Sequence, residues 1–100
     1  MACSQFTKYY MCIRQNGVDV HLYDDISLVG SIYFKPEGRA LQPARLDASG
    51  RIILQYSLNL LEATMQMLRY EKPLYVWYSD PGIAYIGTFG QEPVGEQEGV

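Results

Sequence analysis

Residues 49–70, SGRIILQYSLNLLEATMQMLRY, decide how the chain is read, because no other long segment has a helical period. At about 100° per residue, Leu54, Leu58, Leu61, Met65 and Leu68 fall on one stripe, at spacings of four, three, four and three. Ile53, Leu60 and Met67 widen that stripe on one side and Tyr56 lies further out, while Gln55, Asn59, Glu62, Gln66 and Arg69 gather opposite. The pattern predicts one helix from about Gly50, capped by Ser49 or Asp47 and ended before Lys72-Pro73, which favours extended backbone. Arg51 to Tyr56 also carries enough β-preferring residues for a strand, with Ser57 then capping a shorter helix.

Strand signals flank this segment on both sides. Phe6 to Arg14 alternates Tyr9, Met11 and Ile13 against Tyr10, Cys12 and Arg14. Asn16-Gly17 is a strong hairpin signal, and Val18, Val20 and Leu22 then alternate with Asp19, His21 and Tyr23, one set for a core and one for water. Asp24-Asp25 breaks the strand, and Leu28 to Phe34 forms another in which Gly30 marks a bulge or a close approach of the sheet to the helix. Lys35-Pro36-Glu37-Gly38 reads as a turn, and 39–50 has no strong period. Beyond the helix, Leu74 to Tyr78 and Ile83 to Phe89 are strands joined by a turn at Ser79-Asp80-Pro81-Gly82.

These elements predict an α+β domain over residues 1–90: a mostly antiparallel sheet of four or five strands with one principal helix on one face, in the order β-β-β-α-β-β. Residues 91–100 are polar, glycine-rich and acidic and read as a flexible tail. One hundred residues with 48% apolar and 19% charged side chains suit one globular domain with a real core. No apolar run approaches a membrane span or a secretory leader, and Cys3 and Cys12 read as free thiols, so the expected location is cytoplasmic.

Eight Lys and Arg stand against eleven Asp and Glu, a net charge of -3. Glu92, Glu96 and Glu98 fall in the last nine residues, which leaves 1–91 formally neutral, and the basic residues are scattered without a run. That distribution argues against nucleic acid, whose binding depends on a positive patch; an electropositive groove would have to be assembled by the fold.

Catalytic signals are weak. His21 is the single histidine; Asp24 and Asp25 are near it in sequence, and the simplest hairpin register brings Cys12 nearly opposite it. An exposed strand carries such residues without any catalytic role, and the expectation is a non-enzyme. Cys3, Cys12, His21 and the aspartates lack paired metal-ligand spacing, and no glycine-rich phosphate fingerprint opens a helix, so no cofactor or metal is expected.

Nine tyrosines, Trp77 and three phenylalanines are the unusual quantity. Tyrosine works at half-buried sheet positions, and Tyr and Trp also favour protein interfaces. A sheet surface carrying Tyr10, Tyr23, Tyr75 and Trp77, with a helix flank of Tyr56, Leu60 and Met67, predicts a protein-binding module, a regulator or accessory subunit. Bases of a single strand stacking on the same rings are the alternative. An apolar arc of about 180° exceeds the roughly 100° one sheet needs, which favours covering the surplus by a second copy.

Overall fold

The computed structural model describes residues 2–88, so the expected tail at 91–100 lies outside the described residues. The fold is α+β: two sheets, of three and five strands, and one packed helix. The strands are β1 (Ala2–Phe6), β2 (Lys8–Arg14), β3 (Gly17–Asp24), β4 (Ser27–Lys35), β5 (Arg45–Leu46), β6 (Ile52–Ser57), β7 (Leu74–Ser79) and β8 (Ile83–Thr88), and the helix α1 is Leu61–Tyr70 after a 3-10 turn at Leu58–Leu60. The larger sheet has the order β2-β3-β4-β6-β5 and the smaller β1-β7-β8. All neighbours are antiparallel except β4 and β6.

The helix begins later than its apolar stripe suggests. Ile52 and Leu54 are buried in β6, between less buried Ile53 and Gln55, a period of two. A spacing of four fits a strand and a helix equally well, so the step from Leu54 to Leu58 cannot separate them; the first step of three, Leu58 to Leu61, is where the chain turns helical. Ile53, Leu54 and Tyr56 therefore belong to a sheet, and the wide arc that called for a second copy is not present on α1. Asp47 does not cap this helix. Its Oδ1 accepts the backbone N–H groups of Ser49 and Arg51, both at 2.9 Å, closing the β5–β6 hairpin with Gly50 at φ 81°.

The N-terminal residues are also ordered into a strand, since Ala2–Phe6 pairs along β7 and places Cys3 opposite Trp77. Cys3 and Cys12 are free thiols on different sheets.

The β2–β3 hairpin forms as expected but turns at Gln15-Asn16, with Gly17 already paired to Arg14. A side chain at Gly17 would collide with the carbonyl of Phe34. This displaces the register by two residues relative to a turn on Asn16-Gly17, so Cys12 faces Asp19 and His21 faces Tyr10. Registers two residues apart keep every side chain on its own face, so the hydrophobic pattern cannot tell them apart. On β4, the bulge expected near Gly30 appears as a register shift opposite Leu22 and Tyr23. The close approach there is to β6 and not to the helix, since a Cβ on Gly30 would lie 2.8 Å from the Ile52 carbonyl oxygen across the parallel pair.

The core lies between the sheets. Val18, Val20, Leu22, Ile32, Phe34, Ile52 and Leu54 come from the larger sheet, and Phe6, Leu74, Val76 and Tyr78 from the smaller. Leu61, Met67 and Leu68 of α1 pack against the same cluster, and Thr64 and Met65 are buried. The β7–β8 turn is tied to the segment ahead of β5 by the Ala44 N–H donating to the Gly82 carbonyl at 3.0 Å. The inner positions of β3, β4, β6 and β7 are committed to this core, whereas Tyr9, Met11 and Ile13 on the same side of β2 stay exposed.

Candidate functional site

The outer surface of the smaller sheet carries an aromatic ladder. Tyr75 and Trp77 are two residues apart on β7, and Tyr85 is directly opposite Trp77 on β8, so all three rings project to the same side. The Trp77 and Tyr85 rings stack with centroids 4.9 Å apart and planes 22° from parallel, and Tyr75 lies 5.7 Å from Trp77. Gly87 faces Tyr75, and a Cβ there would lie 3.6 Å from the Trp77 ring. Tyr75 and Trp77 are half-buried, whereas Tyr85 and Ile83 are exposed.

The outer surface of the larger sheet is built differently. Its centre is His21, whose Nδ1 is 2.8 Å from the Ser31 hydroxyl on β4. Tyr10 on β2 and Tyr33 on β4 flank the imidazole, with centroids at 6.4 and 6.2 Å, the second edge-on. Tyr23 shares this surface across from Lys8. The Tyr10 hydroxyl is held above its ordinary pKa, first by a hydrogen bond with the Cys12 side chain and then by the charge of that thiol. Arg14 pairs with Asp19, which is buried although it is on the outer side. Lys35 stands over the Tyr33 ring at 6.0 Å from its centroid.

A cavity of about 500 Å³ opens beside Tyr33. Lys35, Arg45, Ile53, Gln55 and Pro43 line it, and the Gln55 Oε1 accepts the Gln42 backbone N–H at 2.8 Å, holding the cavity wall against β6.

The residues singled out in sequence thus occupy separate places. Tyr10 and Tyr23 lie on the larger sheet, and Tyr75 and Trp77 on the smaller. Tyr56 packs edge-on against Phe34 at 5.8 Å. Burial pushes its phenol pKa up, while its hydroxyl accepts the Ile86 backbone N–H. Met67 packs on the core, and Leu60, just before α1, is 45% exposed. Tyr85 and Tyr33 complete the two aromatic groups. Both are legible as aromatics on alternating strands, but their ring partners depend on register.

Cys12 and His21 are diagonal rather than opposite, and the imidazole Nδ1 is engaged by Ser31. Asp24 and Asp25 sit at the β3–β4 turn, where Asp25 adopts φ 58° and lies 3.9 Å from the Lys8 ammonium. Among the described residues no three His, Cys, Asp or Glu side chains gather as a metal site, and no helix is long and apolar enough to cross a membrane. No family model, curated protein or solved structure matches the chain.

Proposed function

We propose that the protein is a non-enzymatic protein-binding module, a cytoplasmic regulator or accessory subunit, that engages its partner through the outer surface of the smaller sheet. The observation that carries this reading is the stack of Trp77 on Tyr85, extended by Tyr75 and bordered by exposed Ile83. Large rings held in fixed geometry supply contact area with little ordering entropy, which is why Trp and Tyr dominate binding energy at interface centres. Among the described residues, ionised side chains do not interrupt Tyr75, Trp77, Tyr85 and Ile83 on that surface, as an interface centre requires. The partner is another protein or a second copy of the chain.

The test combines sedimentation equilibrium with native mass spectrometry of the complex isolated from its own cells after nuclease treatment, for wild type and Tyr85→Ala with Ile83→Ser. Retention of a stoichiometric protein partner, or self-association, by wild type and its loss in the folded variant supports the reading. Equal retention by both proteins, or a nuclease-treated wild type that is monomeric and alone, rejects it.

A further inference from the structure

The larger sheet gathers what the sequence scatters. Register places Lys8, Arg14, Lys35 and Arg45 on its outer surface together with Tyr10, His21, Tyr23 and Tyr33, and these four cations come from three different strands, β2, β4 and β5. Half of the eight basic residues of an acidic chain thus share one surface. Asp19 is the acid among them, and Arg14 pairs with it; Asp25 reaches Lys8 from the turn at the margin.

We propose that this surface binds single-stranded nucleic acid. Bases stack on the row formed by Tyr10, His21 and Tyr33, one nucleotide enters the cavity beside Tyr33, and Lys35 and Arg45 at its mouth hold phosphates. The cavity, at about 500 Å³, is within the range of sites that enclose small ligands. An open sheet surface suits a single strand better than a duplex, because unpaired bases offer the faces that stack on aromatic rings. Tyr10, 57% exposed on an edge strand, is the accessible end of the row. A purely acidic peptide would use the cations and leave the rings idle, so the alternation of rings and cations favours the strand of bases. This site is separate from the ladder of Tyr75, Trp77 and Tyr85 and stands whether or not that ladder binds protein.

The test is fluorescence anisotropy of labelled mixed-sequence single-stranded DNA and RNA with the full chain at low and moderate salt. Duplex of the same sequence, heparin and polyglutamate serve as competitors. The expected result is saturable binding that weakens with salt and yields more readily to unlabelled single strand than to the other polyanions. Tyr10→Ala with Tyr33→Ala should weaken binding at least about tenfold. Lys35→Gln with Arg45→Gln should weaken it and lower the salt slope by about 1.4, because two phosphates are no longer neutralised. Tyr85→Ala should leave it unchanged. Each variant is checked for folding by circular dichroism, and Tyr10→Leu with Tyr33→Leu replaces the alanine pair if that pair unfolds. No saturable binding at low salt overturns the proposal. Displacement by heparin as effective as by single strand, with the aromatic variants unaffected, also overturns it and marks simple ion exchange. Preferential displacement by polyglutamate overturns it in favour of an acidic protein segment.

Discussion

His21 and Ser31 are directly opposite on β3 and β4, with the imidazole Nδ1 2.8 Å from the serine hydroxyl, and the serine is only 2% exposed. A buried hydroxyl with one good partner contributes about 1 kcal/mol net. Ser31→Ala should therefore lower the unfolding free energy by that amount, seen as a lower urea midpoint with an unchanged slope. In a double-mutant cycle with His21→Ala the two losses should not add, since both remove the same bond. Additive losses would show that the pair is not coupled in solution.

Asp47 predicts a pH dependence. The Arg51 N–H, the Ser49 N–H and the nearby Arg51 and Arg45 charges hold its carboxyl below the usual value of about 3.9. A pKa lower in the folded chain than in the unfolded one means that the ionised form is favoured by folding. The stabilisation is thus complete above the unfolded value and lost as pH falls through the folded value. Urea midpoints of wild type and Asp47→Asn should differ at neutral pH and converge in acid. A difference that is constant across the carboxylate range would exclude the linkage.

Two substitutions test the placement of β6, and a third gives the exposed reference. Leu54→Ala should cost about 2 to 5 kcal/mol by emptying a buried site, while Leu60→Ala should cost under about 0.5 kcal/mol. Gly30→Ala should cost about 1 to 3 kcal/mol, because its Cβ would press on the Ile52 carbonyl across the parallel pair. Equilibrium urea unfolding measures all three. A Gly30→Ala protein as stable as wild type would mean that β4 and β6 are not apposed there.

Trp77 is the single tryptophan, so its emission reports the ladder directly. Tyr85→Ala should change that emission and cost about 0.5 to 1.5 kcal/mol, the range for one aromatic pair beyond its buried area. An unchanged spectrum would indicate that the stack does not persist in solution.

The α+β class, the β2–β3 hairpin, the β7–β8 hairpin and the inward set Val18, Val20 and Leu22 are all readable in the chain, because each depends on a local period or turn. What escapes depends on pairings between distant residues. Leu54 matches a helix and a strand equally until β6 finds β4, and Cys12 falls opposite His21 in the simplest register because a two-residue slip preserves every face. Ala2 to Phe6 carries little strand pattern of its own and is strand by virtue of β7. The cationic surface is invisible for the same reason: Lys8, Arg14, Lys35 and Arg45 are neighbours only after the strands of the larger sheet have registered.

β2 ends the larger sheet, so among the described residues one side of its backbone offers unpaired amides and carbonyls, beside the exposed Tyr9, Met11 and Ile13. Such an edge is a template for runaway strand addition. Here the ends of the strand resist it. If two copies of β2 lay antiparallel about Met11, Lys8 of each would face Arg14 of the other, setting like charges directly across from one another at both ends of the pairing. The strand is therefore guarded against its own kind.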